Sequence, residues 1–560
     1  MNRVWYYLAT CILIGLMALF FFKRAELMAA LEGFGPQVPP AQPAASWTTP
    51  GDLPVLSENS GDRRLRHVIG RLLVPGAIAY EVILRFNSEE DLHKFLENHG
   101  RLKILASNDR LKSARIGFEA AADLLDIPEN AESAPNYLVQ LPEPPNTDAG
   151  IQDGAVPFGN SSLSWLGIDG DISQWGAGVK IAVVDTGVEL HPTFSENQVS
   201  NGVDLLDAPA DVNGHGTAVA SVAAGNHPNA PGVAPAAEVL SFRVADSDGN
   251  SDSFTLAEGI LAAADAGSDV INISLGSTGD SSVVSDAVAY AIEKGSVVVA
   301  AAGNNGSEGL TYPAAYGGVI SVGSVDALGQ HLDFSNTSEE LSLSAPGYSV
   351  AAAWPGDQVI DFTGTSASAP FVSGAIAAIQ SWDSSLSGQE SYELLLKHSN
   401  EAGAPGYDSI YGEGILDVGR VAQAGEAGIY DAAVASHYYA GDVAGNGREI
   451  LQVIVENRGT EIVYASTLDI ESPTGNQQFT IGALKPGDVV SREVVVDTRF
   501  ADLQGGLNYN TTLTLPNSLT DTQPSDNQLS STFSLPSDEP ANALEGTFDE
   551  FDGGAGGGDS

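Results

Sequence analysis

Residues 161–425 alternate short, largely apolar segments with longer stretches of helical periodicity. The apolar segments are Lys180–Val184, Val239–Val244, Val270–Ser274, Val297–Ala301 and Val319–Val322, and the helical stretches are Thr217–Ala224, Leu256–Ala266, Val284–Lys294 and Ser368–Trp382. Continuous apolar strands between helices are typical of a parallel sheet with helices on both faces. The pattern therefore predicts an α/β fold of three layers, in which ligand-binding residues gather where the strands end.

Three polar residues stand next to these elements, each in a turn that contains glycine. Asp185 follows a strand in an Asp-Thr-Gly sequence, His215 opens a helix in a Gly-His-Gly sequence, and Ser366 opens another after Gly-Thr. A serine hydroxyl is a poor nucleophile alone, because it needs a base to take its proton and a carboxylate to orient that base. Each residue alone favours an ordinary turn, whereas the three together predict nucleophilic catalysis.

The segments around these residues resemble those of the subtilisin-like serine proteases, the subtilases. Further segments typical of the family follow in order, namely Trp175–Val179, Gly232–Pro235, Ser274–Gly276, Ala300–Asn304, Tyr312–Ala314 and Tyr411–Gly414. The resemblance covers 161–425 and implies a subtilisin-like catalytic domain with serine endopeptidase activity. It also implies that Ser366 attacks the scissile carbonyl, His215 transfers the proton, and Asp185 orients His215.

The resemblance extends to the groups that bind substrate. Asn304 corresponds to the asparagine that donates to the oxyanion, with the Ser366 backbone N–H as the second donor. The residues expected to edge the pocket before the scissile bond are Ser274, Leu275, Gly276, Ala301, Ala302 and Gly303. Protein or peptide substrates would pair there as an added strand. The small apolar walls indicate a broad hydrophobic preference.

The chemistry so described requires no cofactor, but the family commonly carries structural calcium. Thr193 stands where many relatives supply a calcium-ligating aspartate, and the loop Gly225–Pro231 is short. Two interpretations stay open, namely a structural calcium ion elsewhere on the acidic surface and no specific calcium at all.

Residues 65–142 are predicted to form a small α+β unit. Ala79–Phe86, Lys103–Leu105, Arg115–Phe118 and Tyr137–Leu141 are predicted as strands, and Ser88 is expected to cap a helix that runs through Glu97. The unit resembles a subtilase prodomain in position and size, which implies an intramolecular inhibitor and folding template. An ordinary accessory domain is the alternative. Residues 143–160, rich in Pro, Gly, Asn and Asp, are predicted to be the processing linker.

The N-terminus carries an uncharged stretch of 19 residues, Val4–Phe22, between Arg3 and Lys23. About 20 apolar residues cross a bilayer as a helix, so 1–25 is predicted to be a membrane anchor or a signal segment. Residues 26–64, rich in Pro, Ala and Ser, are predicted to be a linker.

Residues 430–535 consist of strand-like segments joined by turns that contain Gly, Pro and Asn. This pattern predicts an all-β sandwich of the Ig-like or fibronectin-like type. The predicted strands are Glu449–Val455, Glu461–Leu468, Val489–Val496 and Leu507–Leu515. Two segments, Val453–Gly459 and Pro524–Asn527, resemble motifs of such modules. The acidic, Gly-rich tail at 536–560 is predicted to be disordered.

The composition excludes one class of partner. The chain carries 72 acidic against 24 basic residues, a net charge of −48. Phosphate binding needs concentrated Lys and Arg, so a nucleic-acid partner is not expected. The excess charge instead favours solubility, or growth in salty surroundings that screen repulsion.

These features predict an exported subtilisin-like serine endopeptidase that is made as a zymogen. Because the anchor precedes the prodomain-like unit, cleavage within 143–160 would release the mature enzyme from the membrane. Two alternatives remain, namely an inert surface-binding protein with a relic protease fold and a processing protease of narrow specificity.

Overall fold

The computed structural model describes residues 68–142 apart from 71 and 73, residue 152, and residues 154–206, 213–440, 448–497 apart from 474, and 506–533. The predicted anchor, the first linker, most of the processing linker and the tail lie outside the described residues. Within the described ranges, no helix has both the length and the apolar character needed to cross a bilayer.

The N-terminal unit contains an antiparallel sheet with helix α1 packed on it. Its elements are β1 (Glu81–Phe86), α1 (Glu89–Glu97), β2 (Lys103–Asn108), β3 (Ser113–Gly117), a 3-10 turn (Ala121–Asp126), β4 (Ala131–Ala134) and β5 (Leu138–Gln140). The first four strands form one sheet in the order β2-β3-β1-β4. Ser88 caps α1 as predicted, since its hydroxyl accepts from the Asp91 N–H at 3.1 Å. Leu92 and Phe95 then face the sheet and are buried.

The central unit is a seven-stranded parallel sheet between two layers of helices. Its helices are α2 (Ser162–Trp165), α3 (His215–Ala224), α4 (Ser253–Asp265), α5 (Ser282–Glu293), α6 (Thr365–Trp382), α7 (Gly388–Lys397) and α8 (Val418–Gln423). Its strands are β6 (Lys180–Asp185), β7 (Val199–Asp204), β8 (Asn226–His227), β9 (Ala230–Pro231), β10 (Glu238–Arg243), β11 (Asn250–Asp252), β12 (Val270–Ile273), β13 (Val297–Ala301), β14 (Val319–Val325), β15 (Leu343–Pro346), β16 (Val350–Trp354) and β17 (Gln358–Phe362). The sheet order is β15-β14-β13-β12-β6-β10-β7, which confirms the predicted α/β class and the subtilisin-like three-layer fold.

The inner strands of the sheet are buried on both faces, which explains their largely apolar sequences. In β6, Ile181 and Val183 pack into the layer that contains α3 and α6. Their neighbours Ala182 and Val184 pack into the opposite layer, which contains α4 and α5. Asp185 ends the same strand at the carboxyl edge, where the first residues of α3 and α6 also lie.

The C-terminal unit consists of two antiparallel sheets that share one apolar core. Its strands are β18 (Ala432–Tyr439), β19 (Arg448–Asn457), β20 (Ser466–Glu471), β21 (Gln477–Ile481), β22 (Val489–Asp497), β23 (Leu507–Thr514) and β24 (Gln528–Phe533). The sheets have the orders β18-β19-β22 and β21-β20-β23-β24. Val453 and Val494 of one sheet and Leu468 and Tyr509 of the other belong to the same core, as expected for a sandwich.

Several predicted element bounds differ from those of the structure. The strand expected at Glu461–Leu468 is Ser466–Glu471, because Ala465 has a positive φ of 52° that interrupts the extended chain. The helix expected from Ser368 begins three residues earlier, at Thr365, directly after Gly364, and Pro370 lies inside it.

Candidate active site

Asp185 and His215 form a buried, hydrogen-bonded pair. His215 Nδ1 lies 2.9 Å from Asp185 Oδ1 and 3.0 Å from Oδ2. Because a carboxylate only accepts, Nδ1 carries the proton and Nε2 is left with its lone pair, as a base requires. Asp185 is fully buried and also accepts from the Thr186 N–H at 2.7 Å, which fixes its orientation. The ring of Phe362 packs edge-on against His215.

Ser366 lies in the first turn of α6 and contacts Ser274, which follows β12. Its Oγ donates to the Ser274 carbonyl at 3.3 Å, and Ser274 Oγ donates to the Ser366 carbonyl at 3.2 Å. In a regular helix the Ser366 carbonyl would accept from residue 370, but Pro370 has no N–H. The Ser274 hydroxyl therefore satisfies a carbonyl that the proline leaves open.

Asn304 lies beside the same turn and is held by Thr365. Its Oδ1 accepts from the Thr365 N–H at 2.9 Å and from the Thr365 hydroxyl at 2.8 Å. With the oxygen so engaged, Nδ2 faces Gly364, where an added Cβ would lie 2.7 Å from it. Gly364 also has a φ of 131°, so glycine is required there both for the backbone and for the space under the Asn304 amide.

The loop that carries Asn304 depends on a residue that the sequence analysis did not identify, Asn336. Its N–H donates to the Gly303 carbonyl at 3.1 Å, and its side-chain oxygen accepts from the Asn305 N–H at 3.1 Å. Gly303 has a φ of 114°, and a Cβ there would lie 2.5 Å from Asn336 Nδ2. Nothing local in the sequence connects 336 with 303, so only the fold reveals this contact.

The predicted pocket residues lie on two neighbouring strand ends. Leu275, Ala301 and Ala302 are fully or almost fully buried, so the walls are apolar and tightly packed. Thr311 lies against both segments. Its N–H donates to the Ala302 carbonyl at 3.0 Å, and a Cβ added at Gly276 would lie 2.8 Å from its hydroxyl.

A segment of the N-terminal unit lies in a groove between β11 and the segment that follows β12. Strand β5 (Leu138–Gln140) pairs antiparallel with β11 on one side. On the other side, Gln140 exchanges two backbone hydrogen bonds with Gly276, each 2.9 Å long. The Leu141 N–H donates to the Gly249 carbonyl at 2.9 Å. The chain thus occupies the groove as an added strand.

The rest of the N-terminal unit contacts α4 and α5 through arginines. Arg115 donates to Asp252, the N-cap of α4, at 2.7 Å, and it also holds Glu81 of its own sheet at 2.7 Å. Two more contacts of the same polarity join Arg85 with Asp286 and Arg110 with Asp265. The interface therefore pairs basic side chains of the small unit with acidic ones of the large unit.

Thr193 stands where many relatives supply a calcium-ligating aspartate. It is fully buried, and its hydroxyl donates to the Ala230 carbonyl at 2.8 Å. Among the described residues, the group of acidic side chains with the spacing of a cation site is Asp431, Asp521 and Asp526, which lies in the C-terminal unit.

Comparison with known proteins supplies independent information. Residues 176–414 match a family model described as the subtilase family. The chain is 37% identical over 319 residues to the thermophilic serine proteinase of Bacillus sp. (strain AK1). The matched region covers 54% of this chain and 78% of that protein. It is 34% identical over 306 residues to the thermostable alkaline protease of Halalkalibacterium halodurans, with 52% and 82% covered. It is also 38% identical over 239 residues to the major intracellular serine protease of Bacillus subtilis, with 40% and 73% covered.

Proposed function

The chain belongs to the subtilase family of serine proteases, and on this basis we propose that it is an exported endopeptidase made as a zymogen, with Asp185, His215 and Ser366 as its catalytic triad. The observation that carries the proposal is the pairing of β5 with both walls of the groove beside Ser366. An extended chain in that position is bound as a substrate strand would be bound.

The mechanism follows from the groups at the strand ends. Ser366 Oγ attacks the carbonyl carbon while His215 Nε2 takes its proton, and Asp185 stabilises the imidazolium that forms. The carbonyl oxygen becomes an oxyanion that accepts from Asn304 Nδ2 and from the Ser366 N–H. His215 then gives the proton to the leaving amine as the C–N bond breaks. Water then attacks the acyl carbon while His215 takes a proton from it. The proton passes to Ser366 Oγ as the bond between Oγ and the acyl carbon breaks.

The substrate class is an extended peptide with an apolar side chain before the scissile bond. Gln140 marks the position that pairs with Gly276. The buried Leu275, Ala301 and Ala302 leave no charged group in the pocket walls, which favours a broad hydrophobic preference. A processing protease of narrow specificity remains the second candidate, since the side chains beyond the pocket walls would decide selectivity.

The N-terminal unit is proposed to be the prodomain. It fills the substrate groove with β5 and contacts α4 and α5 by ion pairs, so it would block access until the chain is cut. In an antiparallel ladder the next hydrogen-bonded pair after Gln140 and Gly276 is 142 with 274. Ser274 contacts the Ser366 hydroxyl, so the bond after Pro142 is the one presented to the nucleophile.

Export is proposed from the apolar stretch Val4–Phe22, which precedes the prodomain. Cleavage near the processing linker would separate this anchor from the protease, so only the zymogen would stay bound to the membrane. Mature, propeptide-free enzyme that remained integral to membranes would contradict this release.

The experiment compares the wild-type chain with Ser366→Ala after expression in a host with an export pathway. A fluorophosphonate should label the wild type and not the variant, and intact mass should show loss of the N-terminal unit only in the wild type. Asp357→Asn, a change at an exposed acid on the turn between β16 and β17, serves as the matched control. Absence of Ser366-dependent labelling in chains that have lost the N-terminal unit would favour an inert, relic protease.

A further inference from the structure

Three carboxylates meet where the C-terminal unit begins. Asp431 precedes β18, while Asp521 and Asp526 lie in the loop between β23 and β24. One oxygen from each lies within 4.8 Å of the others. Like charges at this separation repel each other, so such a group requires a counter-charge or a proton.

Several oxygens at this place lack a hydrogen-bond partner. Asp431 is only 8% exposed, yet no described residue donates to its buried Oδ1. The same holds for Asp526 Oδ1 and for the side-chain oxygen of Asn527, which is 9% exposed. A buried acceptor without a donor costs free energy, and in a native protein it calls for a bound water or ion. These open acceptors are independent of the spacing of the acids.

The neighbouring arginines do not balance the charge. Arg458 donates to Asp526 Oδ2 at 3.1 Å, and it also lies 3.1 Å from Glu456. Glu456 in turn accepts from Arg420 at 2.6 Å. The three aspartates, Glu456 and the buried Asp417 share these two guanidinium groups, so the carboxylates outnumber the cations. The excess of negative charge favours a bound cation.

We propose that Asp431, Asp521 and Asp526 hold a calcium ion. Carboxylate oxygens are the ligands that hard cations prefer, and calcium binds them at about 2.3–2.6 Å. The three oxygens all lie within 4.8 Å of one another, so a single ion with bonds of this length could contact all three. Magnesium has shorter bonds and retains more water, so a set of three closely spaced protein carboxylates favours calcium.

The ion would link the loop between β23 and β24 to the chain that enters the C-terminal unit. The loop that carries two of the ligands already binds the chain that leaves the catalytic unit, since the Thr522 N–H donates to the Tyr430 carbonyl at 2.9 Å. The Val434 N–H donates to the Asp526 carbonyl at 2.9 Å. Arg420 of α8 joins the same cluster through Glu456. Calcium at this place is therefore expected to hold the sandwich against the protease.

The test uses the full chain with Ser366→Ala, so that no self-cleavage occurs, purified in detergent. Calcium alone and magnesium alone are titrated at pH 8 by calorimetry and by equilibrium dialysis. We expect the parent chain to bind one more calcium ion than the same chain with Asp431→Asn and Asp521→Asn. Asp169→Asn, at an exposed acid distant in sequence, is the matched control and should bind as the parent does. Equal calcium stoichiometry and affinity in all three chains would overturn the proposal.

A second measurement needs no variant. Hydrogen exchange of the Thr522 and Val434 amides in the parent chain should slow at least tenfold with calcium and not with magnesium. Unchanged exchange with calcium would overturn the proposal as well.

Discussion

Ser274 and Ser366 are joined by two reciprocal hydrogen bonds, each from the hydroxyl of one residue to the backbone carbonyl of the other. If substrate pairs with this segment as an antiparallel strand, the Ser274 carbonyl would also accept from the N–H of the substrate residue opposite Ser274. A substrate N–H would therefore compete with the Ser366 hydroxyl for the Ser274 carbonyl. A hydroxyl that gave up this contact would be available to His215 when the scissile carbonyl arrives.

A double-mutant cycle tests why Ser274 has a hydroxyl. Ser274→Ala removes the donor to the Ser366 carbonyl and should lower the free energy of unfolding by about 1–2 kcal/mol. Pro370→Ala restores an N–H that can satisfy the same carbonyl, so Ser274→Ala should cost less in that background. Chemical denaturation of the inactive Ser366→Ala chain measures all four corners. Equal costs in both backgrounds would show that Pro370 and Ser274 are not coupled.

The role of Asn304 as oxyanion donor can be tested separately from the role of Thr365, which holds the Asn304 side chain. Asn304→Leu should lower kcat by about 10²–10³ with little change in KM, a magnitude that was established with subtilisin itself. Thr365→Val keeps the shape of Thr365 but removes its hydroxyl contact to Asn304 Oδ1. It should lower kcat less than Asn304→Leu, and it should have almost no effect in the Asn304→Leu background. Steady-state kinetics on a peptide substrate provide the measurement, and additive losses would contradict the linkage.

The central fold was predictable because the inner strands are largely apolar and buried on both faces. Val297–Ala301 was predicted with the same bounds that the structure has, since every residue of that strand is buried. The edge strand Val199–Asp204 was missed because it contains Ser, Asn, Gly and Asp and is largely exposed. An edge strand pairs on one side only, so its sequence need not be apolar.

Candidate site residues can be proposed from sequence only where the residue type and its local motif point to a chemical role. Asp185, His215, Ser366 and Asn304 were proposed on that basis, whereas the residues that hold them in place were not identified. Asn336 could not be found because its contact with Gly303 spans 33 positions and depends on how the sheet is assembled. The groove contacts of β5 could not be predicted for the same reason, although β5 itself was recognised as a strand.

The contact between the N-terminal unit and α4 is expected to depend on pH. Glu258 of α4 accepts from Asn108 Nδ2 at 3.2 Å. Burial raises the pKa of Glu258 to about 7, and Asp252 adds to this while Asn108 and Arg115 oppose it. Because the docked form holds the proton more tightly, docking is strongest below the ordinary pKa of a glutamate, about 4.5, and it weakens as the pH rises to about 7.

Release of the cleaved N-terminal unit should therefore speed up by about 10-fold to 100-fold across that pH range. Glu258→Gln should remove this increase and stay tightly docked. The measurement is the rate at which processed chains become reactive to a fluorophosphonate, expressed as the ratio of wild type to variant, so that the titration of the triad cancels. Glu293→Gln, at an exposed acid of α5, is the control. A ratio that does not change with pH would contradict the role of Glu258.

Pro142 is expected to make the bond presented to Ser366 a poor substrate. The residue opposite Ser274 should donate its N–H to the Ser274 carbonyl, but proline has none, and its ring holds φ near −65° instead of the −140° or so of an antiparallel strand. In the wild type the Ser274 carbonyl keeps the Ser366 hydroxyl as its partner. Self-cleavage after Pro142 should accordingly be slow, and cuts elsewhere in the processing linker should compete with it.

Pro142→Ala supplies the missing donor and relieves the constraint on φ. It should raise the rate of cleavage between 142 and 143 at least tenfold, since one hydrogen bond of about 1.4 kcal/mol in the transition state corresponds to that factor. Intact mass spectrometry over time identifies the bond and the rate. Pro144→Ala, which changes a proline beyond the paired positions, should leave the rate at that bond unchanged. If the wild type cuts after Pro142 as fast as the Pro142→Ala variant does, the strand does not enter the catalytic centre in this register.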